Sequence, residues 1–326
     1  MGSKSKQKAR QRALGIAAAA SPASYEIQVE LSEKQIEADV AHYFGYVSAS
    51  LGQLGHFRLL DIDEQLYGAD KGFVDGAVAY YLQFKKPCVL RPVSAQEALT
   101  ALPASASPKQ HIRRFRRVEQ LEQEPYSVCF QLHDKAKTAT DFQHNILRRY
   151  ESPPLTRAMY VCPLAFKHED YVASMRSSWP DVYPFLYRGA QWIRDGAFAV
   201  HAASFIPYLR GHAAIVPHAD VTSAAHYYSF SRHATDIAFH SPERLYPGPS
   251  RLSDVVVAEM VRYPEARRPL PELVAYLRDI ASTWIAASGT PQPELEDPIA
   301  WLGWHGRTLH RLFGIRQVVA LHLRGG

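Results

Sequence analysis

From Glu33 to Leu51 apolar side chains return at helical spacing, as Ile36, Val40, Tyr43, Phe44, Val47 and Leu51, which predicts a helix with one buried face. Ser32 with Gln35 predicts a capping box at its start, and Glu33, Glu37 and Asp39 fall largely off the apolar stripe. A short apolar run, Phe57 to Ile62, follows. Then come the acids Asp61, Asp63, Glu64 and Asp70, and Asp75-Gly76 reads as a hairpin turn between two strands. The run Ala77 to Lys85 is the strongest strand signal. Period two sets Ala79, Tyr81, Gln83 and Lys85 on one face and Val78, Tyr80, Leu82 and Phe84 on the other.

Beyond Pro87 and Pro92, residues 95–108 suggest a loop or a short surface helix, leading into the basic stretch Lys109 to Arg117. A strand at Tyr126–Leu132, a helix at Thr140–Tyr150 that Asp141 can cap, and a strand at Arg157–Leu164 give the alternation of an α/β sheet. Between Tyr171 and His240 the chain is rich in aromatics and histidines, and Phe198–Ile206 and Ala213–Val216 read as further strands. After Pro247-Gly248-Pro249 the pattern turns helical, at Leu252–Arg262, at Leu273–Ala287 and in a last amphipathic segment from about Thr308. Residues 249–326 therefore read as a helical C-terminal subdomain, in which Trp284, Trp301, Trp304 and Leu312 pack a core or an interface.

The chain has 326 residues, 47% hydrophobic and 21% charged, which excludes disordered, collagenous and disulfide-scaffold proteins. Its three cysteines, Cys88, Cys129 and Cys162, are odd in number and far apart, so no disulfide framework or zinc knuckle is drawn and a reducing cytoplasm fits. The apolar stretch Ala13–Ala20 is too short to span a membrane, and residues 1–22 read as a basic disordered tail. Of 37 Lys and Arg against 32 Asp and Glu, five basic residues lie in positions 1–12, which leaves the remainder at 32 against 32. The net charge of +5 thus argues only weakly for a polyanion partner.

Glu64, Asp70, Gln83 and Lys85 carry the chemistry. An acid leading into a hairpin and a lysine at the end of the paired strand converge at one end of a sheet. Carboxylate oxygens suit a hard octahedral ion, and a nearby lysine can deprotonate water or counter charge growing on phosphorus. This arrangement resembles the PD-(D/E)xK, or restriction-endonuclease-like, nuclease superfamily over roughly residues 30–165, with Gly68-Ala69-Asp70 as the Asp turn and Gln83-Phe84-Lys85 as the following motif. Gln83 replaces the commoner carboxylate. Glu64 matches the preceding acid, with Glu37 on the first helix as the competing position.

The resemblance implies an α/β fold, a restriction-endonuclease-like mixed sheet flanked by helices, across residues 23–248. It also implies Mg²⁺- or Mn²⁺-dependent hydrolysis of DNA by a cytoplasmic endonuclease, in phage defence, with Glu64, Asp70 and Gln83 as metal ligands and Lys85 assisting the nucleophile. The alternative is a non-catalytic nucleic-acid-binding or scaffold subunit of a larger defence complex, with a degenerate core. DNA is the expected partner, with a homo-oligomer or a protein subunit as further candidates and no membrane.

Lys109, Arg113, Arg114, Arg116 and Arg117, with Phe115 among them, are candidates to track a phosphate backbone; equally, they read as a solvated helix paired with Glu119, Glu122 and Glu124. Gln143 and His144 are candidates for the floor of the site. The series His212, His218, His226, His233 and His240 lacks the spacing that sets two imidazoles on one helical face. Neither a GxSxG elbow nor a phosphate-binding or dinucleotide glycine loop occurs.

Overall fold

In the computed structural model, described here for residues 25–50, 56–59, 74–135, 141–176, 207–240, 243–256, 258 and 266–323, the strong strand signal becomes the spine of the molecule. Strand β3 (Val74–Phe84) alternates as its sequence dictates. Ala77, Ala79 and Tyr81 face the main core, while Val78, Tyr80, Leu82 and Phe84 join a second core against helix α1 (Glu33–Ser50). That helix buries Ile36, Val40, Tyr43 and Phe44, the stripe its periodicity predicts. Ser32 Oγ accepts from Gln35 N at 3.2 Å, but the Gln35 amide turns to Asp39 instead of returning to the cap, so only half of the capping box forms.

Asp75-Gly76 is not a hairpin turn. Both residues lie within β3, which pairs antiparallel with the C-terminal strand β12 (Arg316–Leu323); Gly76 opposes His322 and Val74 opposes Leu323, so Asp75 is the extra residue of a bulge. The backbone approaches closely there, and a Cβ on Gly76 would meet the Arg268 carbonyl at 3.2 Å, a tight contact that glycine avoids.

One six-stranded sheet runs β11 (Ser250–Arg251), β7 (His212–Ile215), β6 (Thr156–Pro163), β3, β12 and β2 (His56–Leu59). Within it β6 is parallel to β3, with Gln83 opposite Tyr160, and every other pairing is antiparallel. The run beginning at Phe57 therefore does pair in the sheet, but to β12, which separates it from β3. A second six-stranded sheet is wholly antiparallel, in the order β1 (Glu26–Ile27), β4 (Cys88–Leu90), β5 (Ser127–Gln131), β8 (Tyr227–Ser231), β9 (Asp236–His240) and β10 (Arg244–Pro247). The chain is a mixed α/β protein with one mixed and one antiparallel sheet.

The two sheets meet face to face where Phe130 packs on Tyr160 with ring centroids 5.2 Å apart, and where Tyr228 joins them. Helices α4 (Gln143–Arg149), α6 (Leu270–Ser288) and α7 (Pro298–Phe313) fill the rest of that core. Helix α3 (Pro108–Val118), preceded by the short capped helix α2 (Ala95–Leu99), covers the outer face of the second sheet through Ile112. A four-residue helix, α5 (Pro207–Arg210), leads into β7.

The expectation of a helical C-terminal subdomain over 249–326 is corrected. Trp284 and Trp301 sit in the same core as Tyr81 and Tyr160, and the chain ends in a strand lodged between β2 and β3. The expected amphipathic segment from Thr308 is the end of α7, which begins at Pro298 under an Asp297 cap and stops at Gly314, where φ is 62°. The candidates Glu64 and Asp70, and the run Phe198–Ile206, lie outside the described residues. No helix among the described residues is long and apolar enough to cross a membrane.

Candidate functional site

The C-terminal end of β3 carries Gln83 and Lys85 on one face, as period two requires, and Lys85 N extends the parallel ladder by donating to Val161 O at 2.9 Å. Both side chains are 2% exposed. Helix α1 begins beside this strand end, with Glu33 and Glu37 one turn apart. A cavity of about 320 Å³ opens there, lined among others by Glu33, Glu37, Gln83, His133, Gln143 and His310. A second cavity, about 410 Å³, shares Glu37, Phe84 and His310 with it and extends to Arg316. The site therefore draws on α1, the end of β3, the segment after β5, the start of α4 and the last turn of α7.

Three buried polar atoms at this place lack a hydrogen-bond partner among the described residues: Gln83 Oε1, Gln143 Oε1 and Lys85 Nζ. Native interiors leave few such groups, and those that persist gather where a ligand or a reaction completes them. Burial draws the Lys85 ammonium down to about 7, although Glu33 and Cys162 nearby favour its charge. Lys85 is not among the residues lining the cavity; its Nζ lies 5.5 Å from the centroid of the Tyr160 ring. Burial pushes the Glu33 carboxyl up, but His133, whose Nε2 lies 3.5 Å away, and Lys85 outweigh it and hold it below its ordinary value. Glu33 is thus an anion at neutral pH, and Lys85 is poised between its two protonation states.

Glu37 is differently occupied. It accepts from Arg316 Nε and lies 3.5 Å from His310 Nε2, so its charge is committed to the C-terminal elements. Glu33, His133, Asp134 and His310 complete the site around Gln83 and were not singled out from sequence. The Glu33/Glu37 spacing of one helical turn was the available signal for the first; His133, Asp134 and His310 reach the site only through tertiary packing.

Gln143 lines the cavity as expected. His144 does not: its Nδ1 meets Tyr160 Oη and its Nε2 meets Ala219 O, both at 2.7 Å, and burial holds its pKa down to about 4. Asp141 does not cap α4 from the N-cap position, which Phe142 occupies; it accepts instead from Phe142 N and Asn145 Nδ2.

The basic candidates lie on α3, across the second sheet from this cavity. Lys109 pairs with Glu26 at 2.6 Å. Arg113 donates to the Arg91 and Pro92 carbonyls and sits over Tyr25. Arg116 is 0% exposed and donates to Asp236 at 2.6 Å and to Ser229 at 3.3 Å. Arg116 as a backbone contact is therefore corrected, because a guanidinium that holds α3 to the sheet cannot reach an outside phosphate. Arg117 is exposed and Arg114 half-buried.

Magnesium or manganese would need hard oxygen donors. Gln83 Oε1, Gln143 Oε1 and the Glu33 carboxylate are of that kind, and the two amide oxygens have no competing partner. Among the described residues no group of three or more His, Cys, Asp or Glu is arranged to hold a metal, and the sequence candidates Glu64 and Asp70 lie outside them. Compared with known proteins, the chain matches no family model, no curated protein and no solved structure.

Proposed function

We propose that the chain is a metal-dependent nuclease with a restriction-endonuclease-like core, hydrolysing phosphodiester bonds in DNA. The observation that carries this reading is the pairing of two unpartnered buried atoms, Gln83 Oε1 and Lys85 Nζ, with the anionic Glu33 at the end of a central strand. Helix α1, the QxK strand β3, helix α4 and the parallel strand β6 follow in the order the resemblance implies, which supports the same reading, while the strand before β3 pairs with β12 and not as its hairpin partner.

Lys85, near neutrality, takes a proton from an attacking water and, once charged, offsets the negative charge growing on phosphorus. Glu33 favours the charged lysine and so restores part of the basicity that burial removes. Gln83, with its amide nitrogen free to donate and its oxygen to accept, orients the water. Gln83 and Glu33, with the sequence candidates Glu64 and Asp70, would hold a divalent Mg²⁺ or Mn²⁺, which would supply Lewis-acid polarisation of the phosphoryl oxygen.

A specific observation favours the second reading, a binding or scaffold subunit with a degenerate core: Gln83 is neutral, and Glu37, the alternative first acid, is tied to Arg316 and His310. Plasmid incubated with Mg²⁺ or Mn²⁺ separates the two. Cleavage by the parent that falls more than about hundredfold in both Lys85→Ala and Asp70→Ala supports the nuclease. Cleavage that survives in Lys85→Ala sinks it, and DNA binding without cleavage by the parent and both variants favours the scaffold.

A further inference from the structure

Cysteines 41 positions apart in sequence meet on the second sheet. Strands β4 and β5 pair antiparallel with Cys88 directly opposite Cys129. Opposed residues of an antiparallel pair point to the same face with their Cβ atoms about 5 Å apart, and opposed Cα separations of about 4.5–5.5 Å fall within the range that a disulfide spans. That face is the one covered by α3, where Cys129 is fully buried among Leu90, Ile112 and Tyr227 and Cys88 lies at the margin, partly exposed. Both thiols are free, as is Cys162 in the other sheet.

The surroundings divide the labour between the two sulfurs. Cys88 is drawn below its ordinary value, chiefly by its contact with Cys129 and then by the Lys109 ammonium, against burial and Glu26. Lys109 is anchored there by its ion pair with Glu26 at 2.6 Å, and Glu26 Oε2 in turn lies 3.9 Å from Cys88 Sγ. Cys129 is raised, first by its contact with Cys88 and then by burial. A partly exposed cysteine beside a fixed cation, backed by a second cysteine shielded from solvent, is the arrangement of an attacking and a resolving cysteine.

We propose that Cys88 and Cys129 form an oxidisable dithiol site that reacts with low-molecular-weight disulfides of the glutathione type and closes to a cross-strand disulfide. In the first step the Cys88 thiolate attacks one sulfur of oxidised glutathione; the S–S bond breaks, and one glutathione leaves as thiolate and takes up the proton Cys88 had released. In the second, Cys129 sulfur attacks Cys88 Sγ and expels the second glutathione thiolate, which receives the Cys129 proton. Two protein thiols are oxidised, and one disulfide is reduced to two glutathione molecules. The new bond closes the chain from Cys88 to Cys129, which carries α2 and α3, and ties β4 to β5. The site is independent of the cavity at the end of β3.

Full-length protein is incubated with oxidised glutathione, quenched, and its remaining thiols counted under denaturing conditions, with peptide mapping of the product. The expected result is a fall from three thiols to one, a Cys88–Cys129 linkage and a free Cys162. Cys129→Ser stalls with glutathione on Cys88, and Lys109→Met closes about tenfold more slowly than the parent. Three surviving thiols, a linkage through Cys162, or parent protein that retains glutathione on Cys88 without closing would overturn the proposal. The thiol count and mapping use the parent chain, so the test stands even where a variant folds poorly.

Discussion

His305 on α7 donates from Nδ1 to the Gln317 side-chain oxygen on β12 at 2.6 Å, and this bond fixes the polar wiring of the core. With Nδ1 as donor, Nε2 accepts from Tyr150 Oη at 2.9 Å, and Tyr150 accepts from Trp284 Nε1 at 2.8 Å. Gln317 completes the chain by donating to Leu302 O at 3.0 Å. All four side chains are buried, so each depends on the others for satisfaction. His305→Phe keeps much of the ring volume but removes the acceptor of the Tyr150 hydroxyl and the nearer donor to Gln317 Oε1, which keeps only Tyr81 Oη at 3.4 Å. It is expected to lower stability by about 2 kcal/mol in urea unfolding, from these lost buried hydrogen bonds. A loss well under about 1 kcal/mol would mean that the chain of bonds does not hold β12 to the helices.

Strand β12 supplies the central rung between β2 and β3, so its removal cannot behave like trimming a helical appendage. A chain ending at Gly314 exposes both edges that β12 covered and removes Val318, Val319, Ala320 and Leu321, each at most 1% exposed, from the cores they pack. Such a fragment is expected to be insoluble or to lack cooperative unfolding by circular dichroism. A soluble fragment with a sharp transition would overturn the placement of β12.

The α1 stripe was legible because one face of the helix is buried and the other is not. Strand β3, buried on both faces, was read instead from a long aromatic-rich run free of Gly and Pro beyond its start, and its alternation sets Gln83 and Lys85 on the same face. The segment Arg316–Leu323 was not read, because it is covered on both faces and follows a helix of similar composition, so neither period dominates. Asp-Gly misled because a bulge and a turn ask for the same small residues. The site was half legible. Local pattern locates Gln83 and Lys85, whereas His133 and His310 arrive through packing of segments distant in sequence, which no local pattern encodes.

Four buried histidines should set the acid limit of the fold. Burial holds His144, His212, His240 and His305 at about 4, against 6.5 for an exposed ring. Because the folded pKa values are depressed, the unfolded chain binds more protons between pH 6.5 and 4. Their stabilising contribution is therefore complete above pH 6.5 and is lost as pH falls through that window, at about 1.4 kcal/mol per pH unit for each ring. The acid transition, followed by tryptophan fluorescence, is expected between pH 6.5 and 4. A fold intact at pH 4 would show that these rings do not titrate on unfolding.

Arg116 and Arg117 are neighbours in sequence with opposite duties. Arg116→Met removes the charge that pairs with Asp236 inside the α3 packing and is expected to cost about 3 kcal/mol, since the largely buried partner is left uncompensated. Its effect on DNA affinity should be small where the protein remains folded. Arg114→Glu with Arg117→Glu should leave stability within about 0.5 kcal/mol. If α3 does track a phosphate backbone, the pair should also weaken DNA binding more at low salt than at high salt. Binding that is unchanged at every salt concentration would remove α3 from any nucleic-acid surface.

Lys85 links the candidate chemistry to stability in a way that one variant can test. Its folded pKa is about 7 against 10.5 for a lysine in water, so the unfolded chain binds more protons between pH 7 and 10.5. Below pH 7 both states carry the charge, and the cost of burying it is borne in full. As pH rises from 7 to 9 that cost is relieved, and the parent should gain about 2 kcal/mol from this group. Lys85→Met removes the titration and fills the same narrow space with an apolar chain, so its stability advantage over the parent should be larger at pH 6.5 than at pH 9. Urea unfolding at the two pH values measures the difference directly. A constant advantage, or none, would mean that Nζ finds water or a counterion in solution, and with it would go the unpartnered base on which the proposed hydrolysis depends.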